Sequence, residues 1–154
     1  MKTSKLTRLI LLFGILIYSC GENLNTEKSN TNYNKTEKNI ENPILDKGVG
    51  PITSVEINKE LNKELATHGK TVFETNCTAC HKLDKRFIGP AITGITKRRS
   101  PEWIMNMVLN PELMVKENDA AKQLLMEYMS PMANQNLTEN EARAVLEYFI
   151  EIDN

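Results

Sequence analysis

Aromatic residues make up only 6% of the 154-residue chain, with a single Trp, three Cys and two His. So little aromatic area is a thin basis for a hydrophobic core, and the length leaves little room for a second ordinary domain. An excess of charge of either sign is also absent: 19 Lys and Arg face 20 Asp and Glu, a formal −1. Phosphate backbones are bound through a clear basic excess, so nucleic acid is not expected as a partner. Alternating strand patterns are missing, and no apolar run is long enough to cross a bilayer by itself.

What apolar sequence there is begins near the N-terminus. Lys2, Lys5 and Arg8 form a basic head, residues 9–18 are a ten-residue apolar run, and Ser19-Cys20 follows. This is the order of a secretory signal peptide. A small residue before a single Cys is also the pattern of a bacterial lipoprotein processing site, with Cys20 as the lipidated first residue of the mature chain. Tyr18 is bulkier than the residue such sites prefer there. The alternative, simple cleavage near Ser19, would leave Cys20 as an odd free thiol, which exported proteins avoid. Without the first 20 residues the chain has 16 basic and 20 acidic residues, a net −4.

Residues 21–42 hold seven Asn and almost no large apolar side chain. Nothing there offsets the entropy of ordering, so the segment reads as a tether. As a random coil it spans roughly 26 Å on average, and about 75 Å when pulled straight. The expected organisation is a signal peptide over 1–19, a lipidated Cys with tether and irregular lead-in over 20–54, and a folded domain over 55–154. The lead-in, 44–57, is expected to pack against that domain.

The folded part reads as all-α, with four to five helices. Leu61, Leu65, Val72 and Phe73 lie at helical spacing, although Gly69 weakens that stretch. Ser100-Pro101 supplies an N-cap and a first-turn proline for a helix through Trp103, Ile104, Met107 and Val108, stopped by Asn110-Pro111. Asp119 is expected to cap a third helix, ended by Ser130-Pro131. Thr138 and Glu141 form a capping box for the last, whose apolar face is Val145, Leu146, Phe149 and Ile152. A domain of about 100 residues with so few aromatics needs something else in its middle.

Cys77-Thr78-Ala79-Cys80-His81 is the attachment pattern of a c-type haem. Two thiols three residues apart reach the two vinyl groups on one porphyrin edge, and the next imidazole then lies beneath the iron. A zinc site would need these two Cys, His81 and the distant His68 as its four ligands. A redox dithiol belongs on a βαβ fold, which the sequence lacks, and a disulfide across so small a loop stabilises little.

Here the sequence resembles the single-haem class I c-type cytochrome domains of bacterial periplasms. The resemblance covers residues 65–152. It rests on the Cys-Thr-Ala-Cys-His motif, on Gly89-Pro90, and on a Met just ahead of a helix opened by Leu137-Thr138. It implies a small cytochrome c fold wrapped round one haem c, bound through Cys77 and Cys80 with His81 as an axial ligand. The Pro90 carbonyl would orient His81, as an outer-shell acceptor fixes the tautomer of a ligating imidazole. The first and last helices would cross, bringing Val72 and Phe73 against Leu146 and Phe149.

The same resemblance points to Met132 as the other axial ligand, although the family's usual Met-Pro is Met132-Ala133 here. Met129 is the second choice. Met105, Met107, Met126 and Met129 fall in helical stretches and read as core filler, and Met114 reads as a loop residue. His68 is expected on the wrong face of its helix for bis-His ligation. Arg98 or Arg99, with Trp103 nearby, are candidates to bind the haem propionates. The remaining cations, with Lys82, Lys85, Arg86 and Lys97, are candidates to steer an acidic partner.

A Met thioether raises the potential and suits electron transfer, whereas an open face suits gas binding or peroxide chemistry. The expectation is therefore a membrane-tethered electron carrier outside the cytoplasm, and not an enzyme. Its implied partners are a quinol-oxidising complex as donor and a terminal reductase or oxidase as acceptor, nitrous-oxide reductase among them. A haem-based gas or redox sensor and a small haem peroxidase are the rivals. The membrane leaflet is left open.

Overall fold

A computed structural model describes residues 42–154; the basic head, the apolar run, Cys20 and the tether up to residue 41 lie outside the described residues. Five helices follow in order: α1 Lys63–Asn76, α2 Pro101–Leu109, α3 Pro111–Glu117, α4 Asp119–Tyr128 and α5 Glu139–Asp153. A short 3₁₀ turn, Ile95–Lys97, precedes α2. No strand occurs among the described residues. The chain is all-α.

Polar caps set every helix start. Asn62, Ser100, Asn110 and Asn118 accept the backbone N–H of Leu65, Trp103, Leu113 and Ala121, each at 3.0 Å. Each such cap contributes about 1 kcal/mol. The Thr138–Glu141 capping box is complete, with the Glu141 carboxylate accepting the Thr138 N–H at 2.8 Å. Two boundaries differ from expectation. Asn110-Pro111 ends α2 and in the same step starts α3, because Asn110 is a side-chain cap and Pro111 fits the first helical turn. Met114 is therefore a fully buried helical residue and not a loop residue. Asn118, not Asp119, caps α4; Asp119 occupies the first turn, where its charge complements the helix dipole.

The core forms where α1 crosses α5. Gly69 lies against Ala144 so closely that an added Cβ would sit 1.9 Å from the Ala144 carbonyl oxygen. The residue that weakens α1 on propensity is what lets the two backbones meet. Beside the crossing, Phe73 packs edge-on to Phe149 with centroids 5.7 Å apart, and Val72 and Leu146 are buried with them. Trp103, Ile104 and Val108 of α2 complete the buried cluster.

The segment ahead of α1 has no helix but is bound to α2 at several points. Asn106, 1% exposed, donates to the carbonyls of Lys47 and Ile52 and accepts the Ile52 N–H at 3.0 Å. Glu102 accepts the Val55 N–H at 3.2 Å. Gly48, at φ 71°, turns the chain where a Cβ would strike the Met114 side chain.

Candidate functional site

The C-terminal end of α1 delivers the motif. The N–H of Cys77 caps the helix on the Phe73 carbonyl, and the N–H groups of Cys80 and His81 then return to the Cys77 carbonyl at 3.1 and 2.9 Å. This tight turn sets both sulfurs and the imidazole along the wall of one cavity, which measures about 1240 Å³ counting the solvent at its mouth. Cys77 is partly buried and Cys80 is exposed. Burial, with the neighbouring Cys80, pushes the pKa of the unattached Cys77 thiol up to about 11.

His81 is held from two sides. Its Nδ1 lies 3.0 Å from the Pro90 carbonyl oxygen. A carbonyl only accepts, so Nδ1 carries the proton and Nε2 keeps its lone pair for a metal. Gly89 sits flat against the ring, and an added Cβ there would be 2.5 Å from Cε1. The Gly89 N–H donates to the Cys80 carbonyl at 2.9 Å, which ties this cradle to the motif turn.

Further lining comes from α2, α4 and the loop that follows α4. Met107, Leu124, Tyr128, Pro131 and Met132 belong to it, and Phe73 of α1 and Phe149 of α5 line the same cavity. Met132 is partly buried there. Met129 is 83% exposed at φ 53°, outside the lining. Met126 is also exposed, so neither it nor Met129 is core filler; Met105 is. Met107, read from sequence as filler, reaches the cavity wall. The helical period that places it on the inner face of α2 carries no sign of a cavity there. His68 is exposed on α1, away from the lining.

Trp103 reaches the cavity with its ring, but its Nε1–H donates to Asn118 Oδ1 at 3.1 Å and is not free for a propionate. Arg98 and Arg99 stand outside the cavity, in an adjoining groove that shares Pro90, Ile95, Leu124 and Tyr128 with it. Arg98 donates to the carbonyls of Thr93 and Ala91 at 2.8 and 3.1 Å. The Arg99 guanidinium lies 4.8 Å from the centre of the Trp103 ring, and burial lowers its pKa.

A largely apolar chamber with two thiols on one edge and a pre-oriented imidazole fits a flat, covalently bound macrocycle. The zinc alternative lacks donors: among the described residues no three His, Cys, Asp or Glu side chains cluster as a metal site.

Comparison with known proteins agrees with this geometry. The family model for cytochrome c matches residues 66–151. A cytochrome c-553-like protein of Synechocystis is 35% identical over 46 residues, 29% of this chain. The match spans 44% of that relative's length, less than half of it. Cytochrome c from Rhodothermus marinus superposes with a TM-score of 0.67 at 45% identity, over 68% of this chain and 90% of that one. An engineered form of it, Rma TDE, gives 0.66 at 44% identity over the same shares. The engineered form bound to a carbene intermediate gives 0.64 at 45%, again over 68% of this chain and 90% of that one. With the matched region running from α1 to α5 and the motif on the cavity wall, the chain belongs to the cytochrome c family and carries haem c covalently through Cys77 and Cys80.

Proposed function

We propose that the protein is a membrane-tethered electron carrier whose single haem is held by His81 on one face and Met132 on the other. The observation that carries this reading is the pairing of a cradled His81 with Met132 on the wall of the same cavity. When bound, the haem supplies a one-electron couple. The chain's own residues hold that couple in nearly constant geometry, since Gly89 and Pro90 leave His81 little freedom to turn. Apolar walls exclude water and favour the less charged ferrous state.

Electrons would pass at the rim beside Cys80, where Phe87 is 52% exposed and Ile88 43%. Lys82 lies 4.9 Å from the centre of the Phe87 ring, and Lys85, two residues before Phe87 in the chain, is exposed. An apolar patch edged by cations suits brief, salt-sensitive encounters with redox protein partners. Among the described residues no helix is long and apolar enough to cross a membrane. Attachment outside the cytoplasm therefore rests on Cys20 and the order of the segments around it.

Optical spectra of the haem-loaded chain test this reading, beside Met132→Ala, Met129→Ala and Met107→Leu. The weak red charge-transfer band of a ferric iron–thioether bond is expected in the wild type and in all variants except Met132→Ala. A wild type without that band, whose ferrous form takes up carbon monoxide at once, would overturn the carrier and favour a sensor or peroxidase. Fractionation of the same cells should show Cys20→Ala released from the membrane; a variant that stays membrane-bound would refute the anchor.

A further inference from the structure

Helix α4 ends at Tyr128, and Met129 then takes a left-handed conformation that turns the chain into the loop carrying Met132. The last carbonyls of a helix have no partner within it, and α4 has no basic residue in its final turn. Arg86 fills that gap from another part of the chain. Its Nη2 donates to the Glu127 carbonyl at 2.9 Å and its Nη1 to the Glu127 carboxylate at 3.3 Å. Its guanidinium carbon lies 4.1 Å from the centre of the Tyr128 ring.

The two sides joined by these contacts are the two sides of the site. Arg86 belongs to the loop that runs from the haem motif to Gly89-Pro90, the cradle of His81. Tyr128 lines the cavity, and Ser130 to Met132 line it immediately afterwards. The contacts differ in weight. Both partners of the Arg86–Glu127 ion pair are more than half exposed, at 56% and 55%, where such pairs contribute little. The bond to the helix-end carbonyl and the stacking on Tyr128 carry more, and both use the planar guanidinium, which lysine lacks.

We propose that Arg86 is a positioning residue that fixes the Met132 loop against the His81 loop and so limits how readily Met132 leaves the iron. This rests on Met132 being the axial ligand. Exogenous imidazole binds ferric iron only after the iron–sulfur bond breaks; an iron–nitrogen bond then forms with no change of oxidation state. Its rate therefore reads the freedom of the Met132 loop.

The test uses the haem-loaded full chain and imidazole as probe, followed by stopped-flow in the wild type, Arg86→Ala, Arg86→Lys, Glu127→Gln and Tyr128→Leu. Amide exchange of residues 129–133 is followed alongside. Arg86→Ala is expected to bind imidazole roughly three- to tenfold faster, the loss of one carbonyl bond and one cation–π contact. Arg86→Lys and Tyr128→Leu should fall between it and the wild type, Glu127→Gln should stay near the wild type, and exchange at 129–133 should quicken in step.

Equal rates and equal exchange in Arg86→Ala and the wild type would overturn the proposal, provided that the wild type shows the thioether band and Met132→Ala loses it. If that band is absent from the wild type, the ligand reading fails instead, and exchange at 129–133 alone reports on the bridge. Should Arg86→Ala fail to take up haem, Tyr128→Leu and Arg86→Lys decide the matter: wild-type rates in both would overturn it.

Discussion

At the scale of single residues, the imidazole of His81 is set by a carbonyl at its edge and a missing side chain at its face. The two controls are separable, because Pro90 acts through a hydrogen bond and Gly89 through space. Gly89→Ala would place a Cβ 2.5 Å from Cε1 and 2.9 Å from Nδ1, so the ring or the loop must move. Overpacking of this kind costs about 1–3 kcal/mol. The expected outcome is a lower thermal midpoint in the haem-loaded protein and a shifted ferric spectrum; an unchanged spectrum with a normal midpoint would show that the cradle yields freely. Cys77, Cys80 and His81 were legible in the sequence because covalent attachment demands their spacing. Gly89-Pro90 was legible through resemblance, though only for the carbonyl. Neither Met107 on the wall nor the bridge from Arg86 to Glu127 and Tyr128 was legible, because each depends on elements brought together by tertiary packing.

At the scale of elements, the starts of α2 and α5 were legible, since Ser100 and Thr138 are caps that act within four residues, whereas the caps Asn62, Asn110 and Asn118 were not read as such. The failures were local as well. Asn110-Pro111 reads as a stop because the signals for a helix end and for a new start overlap there, and only the Leu113 N–H on Asn110 distinguishes them. The hold of Asn106 on the lead-in and of Asp153 on the 3₁₀ turn were illegible, each pairing residues more than fifty positions apart. Asp153, at the end of α5, accepts the N–H groups of Gly94 and Thr96 and the Thr96 hydroxyl. Burial alone would raise its pKa; the hydrogen bonds from Thr96 and Gly94 outweigh it and leave the pKa below the ordinary 3.8. A carboxylate depressed in the folded state adds stability above its unfolded pKa and loses it as pH falls through the folded one. Urea melts of the wild type are therefore expected to weaken as pH falls below about 4, with Asp153→Asn weaker at neutral pH and flatter on the acid side. Parallel curves for the two proteins would mean that Asp153 does not contribute through its charge. Glu102, also depressed, shares the acid limb, so flattening in the variant should be partial.

At the scale of the whole molecule, the scarcity of aromatic residues and the cavity are one fact. The α1–α5 crossing packs well on its own, with Gly69 against Ala144 and Phe73 against Phe149, but Met107, Leu124 and Tyr128 have their inner faces turned to the chamber. A protein of this size is stable by only about 5–15 kcal/mol, so a core built round a bound group depends on that group. The chain carrying Cys77→Ala with Cys80→Ala, isolated without haem, is accordingly expected to lose cooperative packing while the capped helices persist in part. Far-UV circular dichroism should retain a reduced helical signal, the near-UV signal of Trp103 should vanish, and a dye that binds apolar surface should bind strongly. Trp103 is the sharpest reporter, because its ring faces the cavity and its N–H is fixed by Asn118, so its environment collapses with the chamber. A sharp, dye-excluding melt in the haem-free variant would show the opposite: five helices able to close on one another, with the haem a passenger in a core that does not need it.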